Sequence, residues 1–188
     1  MDVSVRTGFL FKVIVVLLAV TSLSVAIAQG IVRPPELQTE VDFWKRIFVE
    51  VPTNQALVHD NRYLGVVYEV VRIPRNASWQ KQRRVSEDIR KKYRQILLDI
   101  ADGDRNSLSK EQSRVLALWP ADVSNEELRQ ASRRVRFQGG LSDRFVEGLQ
   151  RSGSWRDYIQ QQLSAEQVPS ELVALPHVES SFNPAAGS

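Results

Sequence analysis

The chain has 188 residues, enough for one domain or one domain with added pieces, and its 43% hydrophobic and 25% charged residues are those of an ordinary globular protein. It contains no cysteine, which excludes disulfides, a thiolate metal site and a lipid-modified cysteine anchor. The formal charge of +3 is spread evenly and is too small to argue for a nucleic-acid partner.

The first segment reads as a secretory signal over residues 1–28. Arg6 and Lys12 give a basic start, Val13 to Val20 is an apolar run, and Ala26-Ile27-Ala28 is an A-x-A cleavage site before Gln29. Thr21, Ser22 and Ser24 interrupt the apolar run, which is short of the roughly 20 residues of a spanning helix. An uncleaved membrane anchor is the alternative. Export and the absence of cysteine fit the periplasm of a Gram-negative bacterium, with only transient membrane contact through the signal.

Gln29 to Gln38 is a short Pro-containing leader. Val41 to Val51 reads as a helix with Phe43, Trp44, Ile47 and Phe48 on one side, closed by Pro52. Leu64 to Val71 is β-branched and fits a strand, in a hairpin through Asp60-Asn61-Arg62; a helix also fits its length. Pro74 to Ser78 is a loop carrying the acceptor triplet Asn76-Ala77-Ser78. Trp79 to Ala101 is the clearest helix, with Val85, Ile89, Tyr93, Ile96, Leu97 and Ile100 at three- and four-residue steps. The basic run from Lys81 to Arg94 reads most simply as the solvated face of that helix, with contact to an anionic wall polymer as the lesser alternative.

Asp102-Gly103-Asp104 stops the helix. Asp102-x-Asp104-x-Asn106 imitates the start of a calcium loop, but Ser107 replaces the glycine and Ser113 the final glutamate, so no metal site is expected. Ser109-x-x-Gln112 and Ser124-x-x-Glu127 are capping boxes and mark two helix starts. Gly139-Gly140 breaks the chain. Ser142 and Ser154 are caps for two more helices, ending near Gln162. Pro169 opens a final helix, and Pro176 removes a backbone donor inside it, so a break is expected just before Glu179. His59 is isolated and expected at the surface. His177, two residues from Glu179, belongs to another helix face.

The last fourteen residues, Leu175 to Ser188, are expected to carry the chemistry. Leu175, Val178 and Phe182 have the i, i+3, i+7 spacing of a buried face, and Glu179 lies among them with Ser180 and Ser181 following. A carboxyl against apolar walls stays protonated, because desolvation disfavours the charged form, and is then fit for general-acid work on a glycosidic oxygen.

Glu179-Ser180-x-Phe182-Asn183-Pro184-x-Ala186-x-Ser188 resembles the first motif of lytic murein transglycosylases with a goose-type lysozyme-like domain. Arg144 to Leu149, Arg151-Ser152-Gly153, Val168-Pro169-x-Glu171-Leu172 and Leu175 to Ser180 are similar to the membrane-bound transglycosylase D group, with a match from about Phe137 to Ser188. The resemblance implies that Glu179 is the acid/base of peptidoglycan cleavage. It would protonate the oxygen between N-acetylmuramic acid and N-acetylglucosamine, then deprotonate the muramoyl 6-hydroxyl to give a 1,6-anhydro product. It also implies that Ser180 orients the carboxyl or the substrate. The partner is then the peptidoglycan glycan strand, and no cofactor is needed.

The expected fold is mainly α, with a possible small β-hairpin near 55–73. A helical N-terminal region over 38–137 precedes the first helices of a lysozyme-like domain over 138–188. The chain stops nine residues past Glu179, and a Gly-Leu-Met-Gln-like segment and groove aromatics have no counterpart in it, so a truncated enzyme, inactive alone, is expected. A non-catalytic helical periplasmic module that binds wall or protein is the reading from a different class.

Overall fold

The computed structural model describes residues 31, 33–74, 76, 78–183 and 185. The expected signal at 1–28, Ala77 of the acceptor triplet, and Pro184, Ala186, Gly187 and Ser188 of the terminal motif lie outside the described residues. The described chain is mainly α with one three-stranded antiparallel sheet. It divides into two compact units: Arg33–Asp157 together with the segment from Ala174 onward, and Ile31 with Tyr158–Val173. No helix among the described residues is long and apolar enough to cross a membrane.

The larger unit opens with a 3-10 turn, Pro35–Leu37, and helix α1, Gln38–Val49. Strands β1, Gln55–Asp60, and β2, Val67–Arg72, follow. Then come helices α2, Trp79–Asp102, α3, Lys110–Leu116, and α4, Asn125–Arg134. Strand β3, Val135–Gly139, runs into helix α5, Ser142–Ser152. Helix α6, Arg156–Ala165, a 3-10 turn at Ser170–Ala174 and helix α7, Leu175–Glu179, complete the order.

The strand order is β2-β1-β3, so β1 is central. Ala56 to Asp60 are all buried, as expected of a strand covered on both faces. Successive side chains of β1 feed different cores. Val58 joins Tyr68, Tyr93, Leu97, Ile100, Leu128 and Val135 beneath α2 and α4. Leu57 joins Phe43, Ile47 and Val51 beneath α1. The period-2 alternation of a strand thus glues two helical layers to one sheet.

The β-branched segment resolves as strand, through a longer connection than expected: Asn61–Val66 links β1 to β2. Asp60 shapes it, its Oδ1 accepting from the backbone N–H of Arg62 at 2.7 Å and of Tyr63 at 2.9 Å. The register slips between Val58 and His59, leaving Tyr68 opposite neither. Strand β3 was not expected. Its alternation Val135-x-Phe137-x-Gly139 is a strand period, and it pairs with β1 from Ala56↔Gly139 to Asp60↔Val135.

Several local expectations are corrected. His59 is buried rather than exposed, because β1 is central; its ring lies 4.6 Å from Phe43, and its Nδ1 is 2.9 Å from the Asp60 carbonyl oxygen. Ser109 and Gln112 form the full capping box. Ser124 accepts from Glu127 N–H at 3.1 Å, but the Glu127 carboxylate turns to Arg134 instead of closing the second arm. Ser142 is the first residue of α5 rather than its cap. The basic run on α2 is only partly a free face, since Lys92 reaches Glu69 at 3.2 Å and Glu111 at 3.5 Å. The helical path changes from 3-10 to α at Ala174/Leu175, so the break falls before Pro176 and not just before Glu179. Proline at the second position of a helix costs no internal hydrogen bond, which is why α7 starts there.

In the smaller unit, α6 ends with Gln167 at φ 56°, and Val168 N–H reaches back to the Leu163 carbonyl at 2.8 Å. That is a left-handed helix stop with glutamine in the place glycine usually takes.

Candidate functional site

Placement of the site begins at the sheet. After β3, Gly140 N–H donates to the Gln55 carbonyl at 2.9 Å, Leu141 N–H to Ile47 at 2.9 Å and Ser142 N–H to Val51 at 3.0 Å. Gly140 is required here, because a Cβ would collide with the Val51 and Pro52 carbonyl oxygens. Asp143 then accepts from Thr53 N–H at 3.1 Å and from Thr53 Oγ1 at 2.5 Å. The Thr53 bonds help hold the Asp143 carboxyl below its usual range despite partial burial, which acts the other way. These bonds fix where α5 starts and how it runs.

One face of α5 presents Arg144, Glu147, Gly148 and Arg151, spaced i, i+3, i+4, i+7. That face meets the end of α7. Together they line a cavity of about 490 Å³ that includes Arg144, Glu147, Arg151, His177, Glu179, Ser180 and Asn183. Glu179 is the last residue of α7 and is exposed. The expected apolar wall around it is not formed: Leu175 and Val178 are 51% and 63% exposed. The i, i+3, i+7 spacing held in sequence, but α7 is five residues long and the chain turns sharply after it. No single helical face therefore carries all three residues.

The turn after Glu179 is unusual. Ser181 and Phe182 have φ values of 52° and 53°, the left-handed region that costs a non-glycine residue about 1–2 kcal/mol. Arg151 from α5 donates from Nε and Nη2 to the Ser181 carbonyl at 3.0 and 2.9 Å. Its Nη1 lies 3.7 Å from the Glu147 carboxylate. Charge-assisted bonds of this kind contribute about 1.5–3 kcal/mol when shielded and less at a partly exposed guanidinium.

Ser180 does not point at Glu179. Its Oγ donates to the Pro176 carbonyl at 3.4 Å, and Ser181 Oγ donates to the His177 carbonyl at 3.3 Å. The Ser181 hydroxyl thus satisfies a carbonyl near the end of the short helix, whereas the Ser180 hydroxyl shares the Pro176 carbonyl with the Ser180 backbone N–H at 3.1 Å. His177 lies between two aromatic rings, 5.3 Å from Phe145 and 4.7 Å from Phe182. Burial in that sandwich, followed by the charge of Arg156, pushes its pKa below the ordinary histidine value. Its Nδ1 is buried without a hydrogen-bond partner. The imidazole thus belongs to the same cavity as Glu179, although the sequence spacing set it on another face.

Arg144, Glu147 and Arg151 lie within the stretch that carries the family resemblance, which assigns them no role. Their i, i+3, i+7 spacing was the signal that they share one face. The calcium-loop imitation resolves into ordinary contacts: Asp102 pairs with Arg129 at 2.8 Å, and Asp104 Oδ1 accepts from Asn106 N–H at 2.9 Å. Among the described residues no cluster of three or more His, Asp or Glu side chains is placed to hold a metal ion.

Chemically, the cavity offers an accessible carboxylate, two guanidinium groups, a second carboxylate already paired with one of them, and a largely neutral imidazole. Such a set can donate and accept hydrogen bonds on several sides, and one of its carboxyls, Glu179, has no partner among the described residues. No protein-family model, no curated protein and no solved structure matches this chain.

Proposed function

We propose that this chain carries the acid/base carboxyl of an exported peptidoglycan lytic transglycosylase, with Glu179 as that group. It acts on the β-1,4 bond between N-acetylmuramic acid and N-acetylglucosamine and leaves a 1,6-anhydromuramoyl end. The observation that carries the reading is Glu179 at the end of α7, without a hydrogen-bond or ion-pair partner among the described residues, in a cavity whose other carboxylate, Glu147, lies 3.7 Å from Arg151. One free carboxyl suits a reaction in which the acid of the first step becomes the base of the second, with the sugar's own hydroxyl as nucleophile. Two-carboxylate hydrolysis needs a second, independently ionising group.

Because Glu179, Leu175 and Val178 are all exposed, the carboxyl has no dry surround among the described residues. Turnover on this reading requires a further protein surface over α7, and the chain alone is expected to be inactive. That same exposure favours the second reading, a helical envelope module that binds glycan or protein through the α5–α7 face without chemistry.

The test is digestion of purified peptidoglycan by the full gene product, with the ends of the products identified by mass spectrometry. Anhydro ends that disappear in Glu179→Gln support the lyase. Reducing ends that disappear in Glu147→Gln point to two-carboxylate hydrolysis, and binding without any product supports the module.

A further inference from the structure

The two residues that follow the Glu179 helix by one and two positions beyond Ser180 hold a conformation that their side chains disfavour. Ser181 and Phe182 lie at φ 52° and 53°, and neither is among the residues that visit this region readily. Such a conformation persists only where the surroundings over-determine it. The surroundings come from the segment itself, where Phe182 N–H donates to the Pro176 carbonyl at 3.4 Å and Asn183 N–H to the Ser180 carbonyl at 2.9 Å, and from α5. Arg151 places two N–H groups on the Ser181 carbonyl at 3.0 and 2.9 Å. Gly148, one turn earlier, leaves room for the turn to lie against the helix: a Cβ there would stand 3.1 Å from both the Ser181 Cβ and the Ser181 carbonyl oxygen. Within the turn, Ser180 N–H donates to the Pro176 carbonyl at 3.1 Å, so the backbone held by Arg151 is tied directly to α7.

We propose that Arg151 is the positioning residue of the Glu179 site: by gripping the Ser181 carbonyl it keeps the turn left-handed and sets how the last residue of α7 faces the cavity. The inference rests on the reading of Glu179 as the acid/base, and it adds a residue that acts through the backbone without touching the sugar. Arginine suits the task because its two N–H groups lie in one plane and converge on a single oxygen. A lysine brings one point charge and leaves the turn a rotational freedom. The grip is local. Among the described residues Arg151 otherwise pairs with the exposed Glu147 carboxylate, and α5 is anchored at its other end by Thr53 and the sheet.

The experiment uses the isotope-labelled chain by NMR, as wild type, Arg151→Gln and Arg151→Lys. In the wild type, Ser181 and Phe182 are expected to be as ordered as the helices, with order parameters near 0.85. Arg151→Gln is expected to drop both below about 0.6 and move their shifts out of the left-handed range, while the β1 and α2 amides stay in place. Arg151→Lys should recover part of the order. A rigid, left-handed turn in Arg151→Gln overturns the proposal. Should Arg151→Gln unfold the whole chain, Arg151→Lys decides: a loosened turn upholds the grip and an unchanged one overturns it.

Activity of the full gene product separates this inference from the enzyme reading. A kcat lowered on the order of tenfold with KM unchanged in Arg151→Gln supports both. A turn that loosens in a wild type without product upholds the grip and removes the lyase. Equal kcat in wild type and Arg151→Gln removes the positioning role and leaves the lyase standing.

Discussion

Gly148 on α5 and Ser181 beyond α7 approach closely enough that glycine is the only residue that fits without movement: an added Cβ would lie 3.1 Å from the Ser181 Cβ and carbonyl oxygen. Glycine in mid-helix is otherwise a cost, by about 1 kcal/mol relative to alanine. The contact explains why α5 carries one.

Gly153, at the end of the same helix, is the control. A Cβ there meets only the Gln150 carbonyl at 3.6 Å, an ordinary contact, and its φ is −52°. Gly153→Ala should therefore stabilise by about 0.4–1 kcal/mol through the unfolded chain. Gly148→Ala should gain nothing net, because the propensity gain is offset by crowding the turn. Urea unfolding midpoints of the two variants measure this. An equal gain at both positions would mean that the turn yields freely.

Asp60 is fully buried at the end of β1, and Arg134 reaches it at 3.1 Å while also binding Glu127. Removing the cation leaves a carboxylate in the core, so Arg134→Met should cost about 3–5 kcal/mol. Asp60→Asn should cost less, since its side-chain oxygen still accepts the Arg62 and Tyr63 N–H groups that shape the β1–β2 connection. Chemical denaturation of both variants gives the order. A milder loss in Arg134→Met than in Asp60→Asn would show that Glu127 and the turn, not the ion pair, hold this corner.

Acid should weaken the fold in two windows. Burial lowers the pKa of His59, and of His177, below the ordinary value of 6.5. A histidine kept neutral by the fold binds fewer protons than in the unfolded chain, so stability is full above that value and falls as the pH drops below it. Glu111 behaves differently. Its hydrogen bond from Arg114, aided by Tyr93 and Lys92, depresses its carboxyl from 4.5 to about 2. Its contribution is present above the unfolded value and is lost as the pH falls from 4.5 to about 2. With both side chains more than a third exposed, that contribution is at most about 1 kcal/mol. Thermal melts across pH should show the upper window flattened in His59→Gln and the lower one flattened in Glu111→Gln. Unchanged slopes would mean that other groups titrate there.

The elements most legible in sequence were those whose signal is local. Helix α2 followed from its three- and four-residue apolar steps, and the Ser109 cap from its partner three residues on. The hairpin was legible as an alternative because β-branched residues cluster over Val66 to Val71. What stayed hidden depends on partners distant in the chain. Strand β3 is five residues long and exists because β1, some 80 residues earlier, offers it an edge. His59 looked like a surface residue because nothing near it in sequence shows that β1 is sandwiched. At the site, the motif located Glu179, but the spacing of Leu175, Val178 and Phe182 promised a buried face that a five-residue helix cannot carry. The α5 residues that line the cavity lie some 30 positions before Glu179, so only their shared helical face announced them.

The central expectation concerns Glu179 itself. Glu179→Gln keeps the shape and hydrogen-bonding length of the side chain and removes its ability to cycle a proton. Loss of a general acid–base usually lowers kcat by roughly 10²–10⁴. One group serves both half-reactions in the proposed scheme, so the upper end is expected in the full gene product. The fold should not change, because Glu179 is exposed and the hydrogen bonds of its turn come from Arg151, Pro176 and His177. Glu171 is the matched control: it too is exposed, and its contact is a 3.5 Å bond from Ser170. Glu171→Gln should leave the release of anhydro-muropeptides nearly intact. Comparable release from both variants, measured at equal protein and matched melting temperature, would remove Glu179 as the acid and leave the α5–α7 cavity as a binding surface alone.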